Sequence, residues 1–277
     1  SVFDGHYPGF PIVPGVLLIE AAAVAVDALV GSATRWAGVQ SARFQTPVRP
    51  DDEVVIDVLD DPYSALASNP TSPARVRVVL SCGDGTACTA TLLLGSAEQA
   101  DELGDADAGR VEVPGSAMEQ IDIARLLPHR RPILLVDRVD EVVPGARIRT
   151  RKAVSVNEVF HSDKPTTSPF PWSLTLESWC QSAGVLISLD DPNPEVLTGD
   201  VMLFGGLRGV RFGRPALPGD VLVHEAQLDR AVDGSALLSG RTLVGGRVVM
   251  SVESITLARR PAHTLSGSRL SESAVAG

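Results

Sequence analysis

Residues 4–20 read DGHYPGFPIVPGVLLIE, and the rest of the chain is interpreted outward from them. The stretch sets one histidine, His6, in a turn-rich loop of Gly5, Pro8, Gly9 and Pro11. It then passes through Pro14-Gly15 into an apolar helix with a single carboxylate, Glu20. Proline presets φ for a first helical turn, and glycine lets backbone approach a ligand closely. The first N–H groups of a helix lack partners within it and point at whatever lies before them. A base, a carboxylate and such donors on one short segment suit acid–base work beside a carbonyl. A loop histidine taken alone is more often ordinary than catalytic. Glu20 is less ordinary: in VLLIEAAAVAVDALV it has apolar neighbours on nearly every side, and a carboxylate so placed is either bonded or functional.

A length of 277 residues fits about two domains, and 44% hydrophobic with 21% charged residues describes a soluble globular protein with ample core. The net charge of −10 argues against general nucleic-acid binding and against an anionic membrane partner. The charge is uneven: up to Arg110 there are 6 basic and 15 acidic residues, and after it 18 and 19, which leaves room for a local basic patch. Cys82, Cys88 and Cys180 form no CxxC pair and are odd in number, which suggests reduced thiols in a cytoplasm rather than a disulfide framework or a zinc site. No segment reads as a signal peptide. The apolar run 16–30 is too short to cross a bilayer and contains Glu20 and Asp27.

In chain order, the first helix is followed by GVQSARFQTPVRPDDEVVIDVL, which reads as two strands joined tightly at Pro47, Pro50 and Asp51. DDPYSALASNPTSPA reads as a loop. RVRVVLSCGDGTACTATLLLG reads as a hairpin turning at Gly83-Asp84-Gly85. Residues 98–115 are acidic and aperiodic and are expected to be an exposed linker. SAMEQIDIARLL predicts a short helix capped by Ser116, with Glu119 completing a capping box. Strands are expected at PILLVDRVDEVV and ARIRTRKAVSV, then a proline-rich loop, a helix from about Ser173, and four strands to about Leu257. Residues 261–277 are expected to be a disordered tail.

The chain repeats itself. Gly38, Arg43, Phe44, Pro47, Pro50 and Asp52 recur as Gly206, Arg211, Phe212, Pro215, Pro218 and Asp220, each pair 168 residues apart. The helices repeat as well, with Glu20 in the first and Glu177 in the second. A tandem duplication follows.

These residues resemble the 3-hydroxyacyl-acyl carrier protein dehydratases of the FabZ/FabA type. LLPHRRPILLVDRVDEVVPGARIRTRKAVSVNE is similar to the family's N-terminal segment, and GHYPGFPIVPGVLLIEA to its active-site loop and helix. GVQSARFQTPVRPDDEV and GLRGVRFGRPALPGDVL resemble its later strands. The resemblance implies an α+β double hotdog, each half an antiparallel sheet wrapped around a central helix. The expected units are residues 1–97, truncated and carrying the histidine loop, and 116–260, carrying the second helix.

In the family, the histidine of one unit works with the acid on the central helix of the other. Carried over, this pairs His6 with Glu177. Fourteen residues separate His6 from Glu20, whereas fourteen before Glu177 lies Asp163, and the Pro-Gly step has become Pro171-Trp172. His161 sits nearby, in a rebuilt loop. The second helix keeps Glu177 and, one turn on, Gln181; the first has Val24 in the place of that glutamine. One live site and one decayed site, marked by Glu20 and Asp163, are therefore expected.

The resemblance implies that His6 takes the C2 proton and that Glu177, held by Gln181, protonates the leaving hydroxyl. The Gly15 N–H then binds the thioester oxygen. No metal or other cofactor is implied, the acyl chain being carried on phosphopantetheine. Acyl carrier protein is the expected partner, with Arg130, Arg131, Arg208, Arg211 and Arg214 as candidates to dock it. The first half lacks the LLPHRRP-type segment and two strands. Its exposed edge invites a covering chain, a second copy, or a further domain of a longer synthase. Two other functions fit less of the motif: a non-catalytic pseudo-dehydratase that binds acyl carrier or stabilises a partner, and a hotdog thioesterase.

Overall fold

The computed structural model describes residues 2–31, 35–68, 72–95, 103, 117–161, 165–232 and 234–262. Its helices are α1 (Gly15–Val30), α2 (Pro62–Ser68), α3 (Gln120–Leu126) and α4 (Trp172–Ser188). The first-half strands are β1 (Arg35–Phe44), β2 (Val54–Val58), β3 (Ala74–Cys82) and β4 (Gly85–Gly95). After these come β5 (Met118–Glu119), β6 (Arg138–Val143), β7 (Arg147–Ala153), β8 (Asp200–Phe212), β9 (Val221–Val232), β10 (Ser235–Val244) and β11 (Arg247–Pro261). All pair antiparallel in one 11-stranded sheet, ordered β2-β3-β4-β1-β8-β11-β10-β9-β7-β6-β5. Strand alternation sets the inner face: in β3, Ala74, Val76, Val78 and Leu80 are buried while Arg75 and Arg77 point out. That face wraps α1 and α4, which touch each other, and one core runs through both halves from Ile19 and Val26 to Trp179 and Ala183. The result is the double hotdog that the resemblance implies. Among the described residues no helix is long and apolar enough to cross a membrane.

The repeat has a physical cause at two places. The halves meet at β1 and β8, where Gly38 faces Arg211 and Arg43 faces Gly206. These pairs exchange under the 168-residue shift, so a local two-fold axis runs through the junction. The strands approach so closely that a Cβ on Gly38 would lie 2.1 Å from the Val210 carbonyl oxygen, and one on Gly206 2.7 Å from that of Ala42. The repeated aspartates close equivalent turns. Asp52 accepts the Arg49 N–H at 2.8 Å, and Asp220 accepts the Leu217 N–H at 2.9 Å.

Some sequence expectations change. Residues 62–68, read as loop, form α2: Pro62 suits a first helical turn, and Asp61 accepts from Tyr63 N–H at 3.0 Å and Ser64 Oγ at 2.5 Å. The helix expected from Ser116 begins at Gln120, because Glu119 pairs within β5; its cap position makes no side-chain hydrogen bond, and Ser116 lies outside the described residues. The strand expected from Pro132 begins only at Arg138. Backbone groups at Ile133 and Leu135 are bonded to side chains of α4 instead of to a strand. The expected linker, residues 98–115, lies outside the described residues apart from Leu103. At the C-terminal end, β11 reaches Pro261 and the buried Ala262 bonds Gly199, while residues 263–277 lie outside.

Candidate active site

Helix α1 starts after Pro14 (φ −54°, ψ 132°), and α4 starts after Pro171 with nearly the same angles (φ −57°, ψ 133°). The two loops before them differ. In the first, His6 N–H bonds Val2 at 3.0 Å, Val13 N–H bonds Val48 at 2.7 Å, and Tyr7 sits at φ 62° with its hydroxyl donating to Met202 at 3.2 Å. Gly5 lies so close to residues 130–131 that a Cβ there would meet the Arg130 carbonyl oxygen at 2.2 Å. The Arg130 N–H bonds the Gly5 carbonyl at 2.8 Å. The histidine loop of the first half is thus fastened to the N-terminal segment of the second.

That fastening brings three buried side chains together. His6, His129 and Glu177 have ligand-type atoms that all lie within 4.8 Å of one another. They line a cavity of about 400 Å³ that also takes in Gly15, Phe44 and Gln181. The His6 Nδ1 lies 2.8 Å from the Ile12 carbonyl oxygen. A carbonyl only accepts, so Nδ1 carries the hydrogen and Nε2 keeps a lone pair for a proton. Burial, followed by the charge of His129, lowers the His6 pKa to about 4, so the ring is neutral at physiological pH.

Glu177 is held by two donors on the same oxygen: Gln181 Nε2 at 2.9 Å and His129 Nε2 at 3.3 Å. Burial pushes this carboxyl up, but the His129 bond and charge, then His6 and Gln181, outweigh burial and hold it below the usual range. Gln181 also donates to Ile133 at 2.7 Å and accepts from Leu135 N–H at 2.8 Å. Ser178 donates to the Leu135 carbonyl at 3.0 Å and meets His224 Nε2 at 2.8 Å. The other ring nitrogen of His224 meets Thr242 at 2.8 Å, and burial lowers its pKa to about 3. One face of α4 therefore both orients Glu177 and pins the segment that delivers His129. Burial, followed by the Glu177 charge, pushes the thiol of Cys180 and the phenol of Tyr7 up, so both stay neutral. Cys82, Cys88 and Cys180 stand as thiols.

His6 and Glu177, expected as a pair across the halves, meet in the cavity; Gly15 opens α1 at its wall. Glu20 is elsewhere, accepting the Ser173 hydroxyl at 2.5 Å. At the second helix start, Trp172 stands where α1 has Gly15, its ring packed on Phe212 at 5.0 Å and Trp36 at 6.4 Å. Asp163 lies outside the described residues. Of the five arginines, Arg130 is tied to the Leu127 and His129 carbonyls and Arg214 pairs with Asp220 at 3.2 Å. Arg131, Arg208 and Arg211 are exposed. His129 was not singled out in the sequence, although it stands inside LLPHRRP. The signal was its place between two prolines, Pro128 and Pro132, just before a wholly apolar run, Ile133 to Val136.

The histidines and Glu177 are also a set of metal-ligating groups close enough to share an ion. Each already has a hydrogen-bonded or acid–base partner within the site, and together they can take one proton and give another.

Comparison with known proteins identifies the family. The ApeI dehydratase family profile matches residues 1–67, and the FabA-like domain matches residues 127–253. The 3-hydroxyacyl-acyl-carrier-protein dehydratase FabZ of Acidovorax sp. (strain JS42) is 40% identical over 137 residues, covering 49% of this chain and 94% of that one. The chain belongs to the FabZ dehydratase family. A second FabZ, from Pasteurella multocida (strain Pm70), is 38% identical over 146 residues, 52% of this chain and 93% of its own. FabZ relatives match about half the chain, whereas a trans-AT polyketide synthase dehydratase domain from Brevibacillus brevis spans 90% of it and 85% of its own length. That domain has a TM-score of 0.63 at 14% identity. At that identity the likeness concerns the fold alone: two units joined in one chain.

Proposed function

We propose that the chain removes water from a (3R)-3-hydroxyacyl thioester on acyl carrier protein, giving the trans-2-enoyl thioester of fatty acid or polyketide biosynthesis. The observation that carries this reading is the meeting of His6, from one half, with Glu177, from the other, in one cavity. His6 Nε2, bare because Nδ1 is committed to Ile12, takes the proton from C2. Glu177, oriented by Gln181 and ionised before the reaction, relays a proton to the hydroxyl leaving C3. The Gly15 N–H binds the thioester oxygen as enolate character develops. This scheme calls on no metal or redox cofactor. Incubation with a short 3-hydroxyacyl carrier-protein thioester in buffer containing EDTA is expected to yield enoyl product. Binding without product would favour the scaffold reading, and release of free carrier thiol would favour a thioesterase.

Arg208 lies in a groove beside the cavity together with Arg260, which lines both. We place the acidic carrier on that side, with Arg131 and Arg211 as outer contacts. A second surface belongs to a different partner. The edge strand β2 is five residues long, and Val24, Leu29, Val55, Leu59 and Tyr63 are each more than half exposed near it. In the second half the corresponding edge, β9, is covered by β7. A covering strand on β2 from a partner polypeptide, a second copy or a further domain of a longer synthase is therefore expected, and a light-scattering mass above one chain would assign it to a second copy. In that case replacing Val55 and Leu59 by lysine should return the mass to that of a monomer.

A further inference from the structure

His129 is the group that an acid–base pair of His6 and Glu177 leaves unexplained. It is 7% exposed, its Nε2 is 3.3 Å from Glu177 Oε1, and its ring stands edge-on to His6 at 5.2 Å and to Tyr7 at 5.3 Å. Its Nδ1 is buried with no hydrogen-bond partner among the described residues. A buried polar atom left unpaired costs roughly 1–3 kcal/mol, and an apolar ring would fill the same place without that cost. Loop stability therefore does not account for a histidine here. The same Gln181 that holds Glu177 also fixes the segment that carries His129, so the contact between them is built in.

We propose that His129 is a positioning residue that shares one proton with Glu177, so that this proton reaches the departing C3 hydroxyl through the carboxylate. The proposal rests on the roles given above to His6 and Glu177. At the outset one proton lies between His129 Nε2 and Glu177 Oε1, and His6 Nε2 is bare. The C2–H bond breaks and its proton goes to His6. The electron pair forms the C2–C3 double bond as the C3–O bond breaks. The shared proton passes through Glu177 to the leaving oxygen, which departs as water. His6 is then an imidazolium and the His129–Glu177 pair an anion. The three groups lie within 4.8 Å of one another, and the proton on His6 returns to the pair through one bridging water, which resets the site.

The other titratable or charged groups lining the site are Tyr7 and Cys180, both held neutral, Asp191, which pairs with Arg259, and Asp200 and Arg260. The charge of His129 lowers His6, second only to burial. Removing His129 therefore raises the pH at which His6 protonates.

The test is kcat and KM against pH for His129→Gln and His129→Phe, with His6→Ala alongside and thermal unfolding of each. Both His129 variants are expected to lose roughly 100-fold in kcat with KM changed less than about threefold. The glutamine variant should be no better than phenylalanine, since an amide donates a hydrogen bond but cannot hand over a proton. The acid limb of kcat/KM should move to higher pH in both, and both variants should stay folded, since Glu177 keeps its Gln181 donor. Wild-type kcat and pH profile in His129→Gln would overturn the proposal, as would unfolding of His129→Phe, which would make the residue structural. If His6→Ala keeps full turnover, the reading of the site itself fails, an outcome distinct from either.

Discussion

Replacement of His6 by alanine is expected to lower kcat by roughly 10²–10⁴-fold, the range for loss of a positioned general base. The ring is held by one bond, Nδ1–H to Ile12, and stacks on Tyr7 at 4.4 Å, so alanine removes the acceptor while leaving the backbone bonds of the loop in place. Glu177→Gln should do comparable damage, because an amide can still accept the bond from Gln181 but cannot relay a proton. Glu20→Gln should stay within about threefold of the parent, since its carboxylate faces Ser173 and does not line the cavity. The pH profile adds a check. His6 accepts a proton only when neutral, so kcat/KM should hold steady from neutral pH downward and fall as pH passes through about 4. A histidine with its ordinary value would begin to fail near 6.5. Full activity in His6→Ala, or an acid limb near 6.5, would remove His6 from the role of base.

The second large effect concerns stability. Gly38→Ala places a methyl 2.1 Å from the Val210 carbonyl oxygen at the strand pair joining the halves, where only backbone can give way. A cost of roughly 3 kcal/mol is expected, or a fall in Tm of about 10 °C for a chain of this size. Activity should fall with it, because His6 and Glu177 come from opposite sides of that junction. Gly83→Ala is the control: φ there is also positive, at 56°, but nothing lies within 4 Å of the added carbon. Equal Tm values for the two variants would show that the close approach is not what requires glycine at 38.

The duplication and the starts of α1 and α4 were legible because each rests on local chemistry, whereas the pairing of His6 with Glu177 across the halves was implied by the family resemblance. A proline presets a helix, an aspartate closes a turn, and a glycine permits strands to touch. The 168-residue repeat carried even the two-fold register of β1 on β8. Other features were hidden for a common reason. The segment 132–137 looked like a strand because it is apolar, yet Gln181 and Ser178 bond its backbone from 43 or more residues away. His129 reaches Glu177 only through that fastening, and no spacing along the chain announces it. In the first half Val24 occupies the position of Gln181 and is 62% exposed, so the same helix face there has nothing to pin. Long-range bonds between side chain and backbone are where periodicity stops being informative.

The joint between β1 and β8 has a consequence for concentration. A site divided between two separate subunits exists only as long as they stay associated, and it is lost on dilution. Here both contributors belong to one covalent chain, so each half meets the other at an effective concentration in the millimolar range for a short tether, however few molecules are present. Activity per molecule should not depend on how much protein a cell makes. The chain can also evolve its two halves independently, because neither must pair with a copy of itself to complete the chemistry.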